Sequence, residues 1–204
     1  MWINPDDLSP SETYFTMIQT LVPRPIAWVL TENLAGDYNL APFSYFNAVS
    51  SDPPLIMVNI GRKPTGEPKD TRVNIEARGD FVVMIPHMAL LEAMNESSAT
   101  LPAGESEVTR LGLETVPFPG SRLPRLADCR VAYACRRYQI LLVGNGPQAL
   151  IIGQIHALYI DDAVVDTDSK GRLKIHADKL DPVCRLGAGE YARVGEITRL
   201  ARPK

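Results

Sequence analysis

The sequence predicts a mainly β fold, in which an antiparallel barrel carries a few short helices at its periphery. Three observations favour this fold. Short apolar, β-rich stretches recur along the chain, clusters of Gly, Pro and Asn separate them, and few segments show helical spacing. A closed or nearly closed barrel also removes the exposed strand edges that an open sheet would leave.

The first elements are a helix and a β-hairpin. Ser9-Pro10-Ser11-Glu12 is a capping box with proline at the first helical position, and it predicts a helix that continues to about Leu21. The prolines at 23 and 25 end that helix. Apolar residues from Ile26 to Thr31 then predict a strand that pairs, across a polar turn, with the segment from Tyr38 to Ala41.

The middle of the chain alternates loops with short elements. A loop of rings and hydroxyls is predicted from Phe43 to Ser51, followed by a strand from Leu55 to Ile60 and a helix from Thr71 to Arg78. Another strand, Phe81 to Ile85, precedes helical spacing from His87 to Asn95. Residues 97–124 lack a period and predict a long excursion with one short helix near residues 107–111, in the manner of a functional lid.

The third part is rich in strands. Three strands are predicted, from Asp128 to Arg137, from Gln139 to Val143 and from Ala149 to Ile160, and a hairpin turn over residues 144–147 separates the last two. Residues 161–170 are polar and turn-like. The tail, residues 178–204, has little periodicity and is expected to wrap the barrel, whose core spans residues 21–162.

Composition restricts the classes of function. A chain of 204 residues, 45% of them hydrophobic, can bury the core of one domain over residues 1–204. Its formal net charge of −3 argues against a nucleic-acid or anionic-membrane partner, since both need a concentrated basic face. No apolar run approaches the roughly 20 residues of a membrane span, and the three cysteines lack a CxxC pair, so a soluble, cytoplasmic protein with reduced thiols is expected.

The stretch from Asn39 to Asn74 is the candidate ligand site. Lys69, Asp70 and Thr71 stand where a helix begins, so that a cation, a hydroxyl and free backbone N–H groups offer a seat for one phosphate. An ordinary helix cap explains the same residues, and both interpretations can hold together. Rings and amides upstream suit a flat heteroaromatic body, so the implied ligand is a mononucleotide with a ribityl-like arm.

Four segments resemble a known family, the flavin reductase-like proteins with an FMN-binding split barrel. They are PRPIAWV at 23–29, NLAPFSYFNAVSSDPP at 39–54, KDTRVNI at 69–75 and RLGAGEY at 185–191. The resemblance, which covers the chain from about residue 21 to residue 191, implies FMN as the cofactor and a homodimer with each flavin near the subunit interface. It also brings Tyr191 close to the flavin. The candidate cofactor-binding residues are Phe43, Ser44, Tyr45, Phe46, Asn47, Ala48, Val49, Ser50, Arg62, Lys69, Asp70, Thr71 and Tyr191.

The resemblance implies an oxidoreductase that passes hydride or electrons from NAD(P)H through FMN. Some members carry a Gly-Asp-His element in a late strand, whereas this chain has Gly153-Gln154-Ile155-His156, which argues against nicotinamide use. A non-enzymatic electron carrier similar to flavoredoxin, serving a redox partner protein, and an FMN-binding module are the alternatives. No catalytic side chain and no metal site are predicted, because the chemistry belongs to the cofactor and the three histidines lack ligands at suitable spacing.

An arginine-rich region is a further candidate binding site. Arg122, Arg125, Arg130, Arg136 and Arg137 enrich one region in positive charge. A solvated face is the preferred interpretation, and recognition of an anionic substrate such as NADPH is the alternative.

Overall fold

A seven-stranded antiparallel sheet forms the body of the molecule. We analysed a computed structural model, which describes residues 1–102, 104–146, 148–201 and 203. In chain order, the strands are β1 (Arg24–Pro25), β2 (Ala27–Glu32), β3 (Tyr38–Phe43), β4 (Phe46–Ser51), β5 (Pro54–Ile60), β6 (Asp80–Met84), β7 (Thr115–Val116), β8 (Arg125–Leu126), β9 (Val131–Val143), β10 (Gln148–Ile160), β11 (Val165–Thr167), β12 (Leu173–Ile175), β13 (Cys184–Arg185) and β14 (Tyr191–Ala192). The helices are α1 (Pro10–Thr20), α2 (Asp70–Arg78), α3 (Leu91–Glu96), α4 (Glu107–Arg110) and α5 (Ala177–Leu180), with single 3₁₀ turns at Pro5–Asp7, Met88–Leu90 and Asp162–Val164.

The main sheet has the order β3-β2-β6-β9-β10-β5-β4. Its two edge strands, β3 and β4, are consecutive in the chain and are separated only by Ser44 and Tyr45, so the sheet curls until its edges meet. The fold is the antiparallel split barrel that the sequence predicts. Because the two edges meet near Ser44, we expect a cleft along the junction between β3 and β4.

Strand β2 is buried on both faces, and the reason is the excursion over residues 97–124. Ala27 and Val29 belong to the cluster inside the barrel, whereas Trp28 and Leu30 point to a second cluster on its outer face. Side chains of the excursion, including Phe118 and Leu123, pack on that outer face. The Trp28 indole N–H also donates to the Ser97 hydroxyl at 2.9 Å. The predicted lid is therefore packed against the barrel as a fixed layer.

Two details of the strands differ from the sequence-based prediction. The aromatic loop predicted over residues 43–51 is wrong, because Phe46–Ser51 forms the edge strand β4, paired with β5. Its side chains are mostly exposed on both faces, and the alternation that usually reveals a strand is therefore missing. The two strands predicted on either side of residue 138 are one strand, β9, in which Tyr138 is the extra residue of a bulge opposite β10.

The remaining elements follow the predicted order. The Ser9 capping box is present, since Glu12 N–H donates to Ser9 Oγ and Ser9 N–H donates to Glu12 Oε2. Residues 144–146 form the turn between β9 and β10, whereas Pro147 of that predicted turn lies outside the described residues. The tail pairs with β1 through β13 and β14.

Among the residues that the structure describes, no helix combines the length and the apolar character needed to cross a membrane.

Candidate functional site

Three connected clefts follow the path of β3 and β4. The lysine cleft, about 450 Å³, is lined by residues that include Asn39, Lys63, Lys69, Thr71, residues 97–101 and Glu107. The tyrosine cleft, about 620 Å³, is lined by residues that include Tyr14, Arg24, Phe43, Ser44, Asn95, Arg185 and Tyr191. The apolar cleft, about 1220 Å³, is lined by residues that include Met17, Leu21, Ser44, Tyr45, Phe46, Asn47 and Val143. Pro42 and Ser98 line both of the first two clefts, and Arg24 and Ser44 line both of the last two.

Lys69 is an unneutralised cation in the lysine cleft. It occupies the N-cap position of α2, and its ammonium lies 5.3 Å from the centroid of the Phe43 ring. Within the described part of the chain it has no hydrogen-bond acceptor and no carboxylate partner. Partial burial lowers the pKa of Lys69, since desolvation disfavours the charged form. By contrast, the neighbouring Lys63 is neutralised by Asp70 at 2.8 Å.

A buried amide network fixes Thr71 at the floor of this cleft. Asn39 Nδ2 donates to Thr71 Oγ1 at 2.9 Å, and Asn74 Nδ2 donates to Thr31 Oγ1 and Asn33 Oδ1. Thr71 itself is 1% exposed. Because its oxygen accepts from Asn39, the hydroxyl keeps its own hydrogen available as a donor. The network ties the first turn of α2 to the hairpin of β2 and β3.

Glu107 also lines the lysine cleft. Its Oε2 accepts the backbone N–H of Leu40 at 2.8 Å, and Ser106 Oγ donates to the Tyr38 carbonyl at 2.6 Å. Burial raises the pKa of the Glu107 carboxyl. These two bonds satisfy the backbone of the edge strand β3 and hold the excursion beside the cleft.

The tyrosine cleft joins residues that are far apart in the chain. The Tyr191 hydroxyl donates to Asn95 Oδ1 at 2.7 Å, and the Arg185 guanidinium carbon lies 4.4 Å from the centroid of the Tyr191 ring. Arg24 is 8% exposed and donates to the carbonyls of Ile18 and Leu186 at 2.6 and 2.8 Å. Arg24 therefore links α1 and the tail to the barrel.

Most, but not all, of the predicted site residues line these clefts. Lys69, Asp70 and Thr71 line the lysine cleft, Phe43, Ser44 and Tyr191 line the tyrosine cleft, and Ser44, Tyr45, Phe46 and Asn47 line the apolar cleft. Ala48, Val49 and Ser50 lie exposed on β4, and Arg62 is exposed and donates to the Gly66 carbonyl at 2.6 Å. The structure places none of these four among the lining residues of the three clefts.

Arg24, Asn95 and Arg185 are polar cleft residues that the sequence does not single out. No local pattern distinguishes Asn95 from an ordinary helical residue, because its partner Tyr191 is 96 residues away. Arg24 lies in PRPIAWV, whose prolines predict the end of a helix, and Arg185 lies in RLGAGEY, whose glycines predict a turn.

The arginine-rich region is engaged in structural contacts. Arg122 forms ion pairs with Glu32 at 2.5 Å and with Asp80 at 2.6 Å, and Arg125 lies 3.5 Å from the Tyr159 ring centroid. Arg130 donates to the Lys179 carbonyl at 2.6 Å. These contacts hold Arg122, Arg125 and Arg130 within the protein, and the solvated face and the recognition of an anionic substrate both stay predictions.

His156 lies outside the three clefts. It is an exposed residue of β10 at a register shift, between the pairs that Ile155 and Ala157 form with β9. Its strand neighbour Gly153 faces the buried Phe81 ring, and a Cβ there would lie 2.4 Å from Phe81 Cζ. Packing inside the barrel thus explains the glycine of the segment Gly153-Gln154-Ile155-His156.

Comparison with known proteins identifies the family. The model of the flavin reductase like domain matches residues 19–175. The chain belongs to the flavin reductase like family. The matched region includes the residues of the lysine cleft.

Individual relatives cover the full length of this flavin reductase like protein. An uncharacterized protein of Halalkalibacterium halodurans is 40% identical, covering 100% of this chain and 97% of the relative. The structure of nitrilotriacetate monooxygenase component B from Bacillus cereus is 33% identical with a TM-score of 0.89 and covers 98% of both chains. The 2-nitrobenzoate 2-nitroreductase of Pseudomonas fluorescens is 30% identical with a TM-score of 0.88, covering 100% of this chain and 96% of that one. The family places the chain among flavin-related oxidoreductases.

Proposed function

We propose that this flavin reductase like protein binds FMN and passes hydride or electrons from NAD(P)H through it. The observation that carries the proposal is Lys69, a half-buried cation without a partner among the described residues, at the N-terminus of α2. An anion there would gain a charge-assisted hydrogen bond and the favourable end of the helix dipole. Thr71 would add its hydroxyl hydrogen, and Asn39 orients that hydroxyl.

The proposed cofactor fits the three clefts. One uncompensated ammonium in the lysine cleft suits a single phosphate, which favours FMN over a dinucleotide. The adjoining tyrosine cleft offers Phe43 and Ser44 to a flat ring system, and the bound flavin would supply the hydride and one-electron chemistry. The protein residues bind and orient, in line with the absence of a predicted catalytic side chain.

Flavin identity tests the first half of this proposal. Protein purified as expressed is expected to be yellow, and heat or acid is expected to release noncovalent FMN, identified by chromatography. FAD as the dominant flavin, or a colourless protein that takes up no FMN, would contradict the proposal.

The position of His156 favours a second candidate, an electron carrier that exchanges electrons with a redox partner protein. Because His156 lies outside the clefts, it is not placed to meet a nicotinamide there. Anaerobic mixing with NADH and NADPH, followed by the visible absorbance of the flavin, separates the two candidates. Bleaching on a turnover timescale supports the enzyme, and an unchanged spectrum supports the carrier.

We further propose that the protein is a homodimer whose interface covers the apolar cleft. The end of β9 exposes Leu141, Leu142 and Val143, and α1 exposes Phe15 and Met17. Met17 and Val143 line the apolar cleft, and contiguous apolar surface of this kind usually marks an interface. A second copy is the occupant implied by the resemblance to the family.

The Val143→Glu substitution tests the dimer. Val143 lines the apolar cleft and is 39% exposed in the single chain, so a carboxylate there would be buried without a partner only when two copies associate. We expect the dimer dissociation constant to rise about a hundredfold or more, measured by sedimentation velocity over a concentration series. Leu200→Glu, at a tail position that is 90% exposed, is the control and is expected to leave association unchanged. A parent protein that is monomeric at every concentration would contradict the proposed interface.

A further inference from the structure

Arg185 presents unused hydrogen-bond donors in the tyrosine cleft. A guanidinium has five N–H donors, and Arg185 uses one of them, on the carbonyl of Ala188. Within the described part of the chain its other donors have no acceptor, and it has no carboxylate partner. The side chain is half-buried and lies over the Tyr191 ring, 4.4 Å from its centroid. Stacking on a ring fixes the plane of the guanidinium while its edge remains free to bind.

Several other arginines are neutralised by carboxylates. Arg122 is paired with Glu32 and Asp80, Arg72 with Glu76, and Arg172 with Asp168. Arg185 resembles Arg125 in lying over an aromatic ring without a carboxylate partner among the described residues, but Arg185 lines the tyrosine cleft and Arg125 does not.

The walls of the tyrosine cleft carry positive charge only. Arg24 adds a second guanidinium, and the residues that line the cleft include no aspartate or glutamate. The Tyr191 hydroxyl has already donated its hydrogen to Asn95 Oδ1, which leaves the Asn95 amide N–H groups as further donors. Rings of Tyr14 and Tyr191 supply flat apolar walls beside these donors.

We propose that Arg185 recognises the carboxylate of an aromatic acid that binds as the second substrate beside Tyr14 and Tyr191 in the tyrosine cleft, while Phe43 and Ser44 of that cleft serve the flavin. A planar guanidinium edge matches the two oxygens of a carboxylate, and ring walls suit the aromatic body. The role of the acid as a substrate rests on the proposed function, whereas its binding is argued from the residues of the tyrosine cleft alone. The residue that selects an anion is then Arg185, and not the arginine-rich region around Arg122.

The test compares benzoate with benzamide, which has nearly the same shape and no charge. Each is titrated calorimetrically into the FMN-loaded protein and into the flavin-free protein. We expect benzoate to bind about ten- to a hundredfold more tightly than benzamide, because a hydrogen bond to a charged group is stronger than a neutral one. Arg185→Gln is expected to abolish that preference, and Arg185→Lys is expected to restore part of it.

Arg193→Gln is the matched control. Arg193 lies in the same tail and is paired with Asp181 at 3.4 Å, so its loss removes the same charge without touching the tyrosine cleft. It is expected to keep the full preference for benzoate.

Three results would overturn the inference. They are equal or absent binding of both probes to the parent, an unchanged preference in Arg185→Gln, and a loss of FMN affinity in Arg185→Gln that riboflavin does not share. The last result would assign Arg185 to the cofactor phosphate. A protein that binds benzoate selectively but takes up no FMN would instead refute the proposed function and leave the aromatic acid site standing.

Discussion

Replacing Lys69 with alanine is expected to weaken FMN binding about ten- to a hundredfold, the usual loss of a hydrogen bond to a charged group. Lys69 is half-buried at the N-terminus of α2 and has no counter-charge among the described residues, so the phosphate of FMN would be its partner. Riboflavin lacks that phosphate, and its affinity is expected to stay unchanged. Fluorescence titration of both flavins measures the two affinities.

The pH dependence of FMN binding follows from the same ammonium. Burial lowers the pKa of Lys69 in the flavin-free protein, and a bound phosphate would raise it again. FMN affinity is therefore expected to fall as the pH rises through the lowered pKa, because the ammonium loses its proton and the attraction with it. The affinity for riboflavin is expected to lack this fall.

Arg62→Ala is the control for Lys69→Ala. It removes the same charge from the same connection between β5 and α2, but Arg62 is exposed and contacts the Gly66 carbonyl away from the cleft. We expect its FMN affinity to remain close to that of the parent. Equal losses for FMN and riboflavin in Lys69→Ala would mean that the substitution damaged the fold, and an unchanged FMN affinity would remove Lys69 from the phosphate seat.

Replacing Trp28 with alanine is expected to lower the free energy of unfolding by about 3–5 kcal/mol, the usual range for a large buried aromatic side chain. Trp28 is 0% exposed, and its indole joins the outer face of the barrel to the excursion through Ser97. The substitution leaves a cavity and also removes the donor to the Ser97 hydroxyl. Urea unfolding followed by circular dichroism measures the loss.

The second tryptophan provides a matched control. Trp2 is 84% exposed, so Trp2→Ala is expected to change the free energy of unfolding by no more than about 0.5 kcal/mol. A loss below about 1 kcal/mol in Trp28→Ala, against the 3–5 kcal/mol expected of such a deletion, would mean that the excursion repacks freely and is not a fixed layer.

Local signals made much of this fold predictable. The Ser9 capping box, the apolar strand β5 and the helix after Lys69 each carry their pattern within a few neighbouring residues, and the structure places them as predicted. The edge strand β4 was missed because neither of its faces is buried in the single chain. Continuous β9 was missed because its bulge at Tyr138 falls among exposed polar residues.

One of the clefts could be predicted from local sequence, and another could not. Lys69 and Thr71 are neighbours in the chain, and their cleft could be anticipated from the start of a helix. The tyrosine cleft depends on contacts between distant residues, such as Tyr191 with Asn95, and such pairs leave no local pattern in a single sequence. Only the resemblance to the family brought Tyr191 into the site.

The attachment of the tail by Arg24 makes the tyrosine cleft depend on contacts between distant parts of the chain. Arg24 donates to the Leu186 carbonyl across 162 residues of chain, and its strand β1 pairs with β13 of the tail. The wall that carries Arg185 and Tyr191 is therefore positioned by the beginning of the barrel. A substitution at Arg24 would shift that wall without altering any residue of the tail, so the two ends of the sequence shape this cleft together.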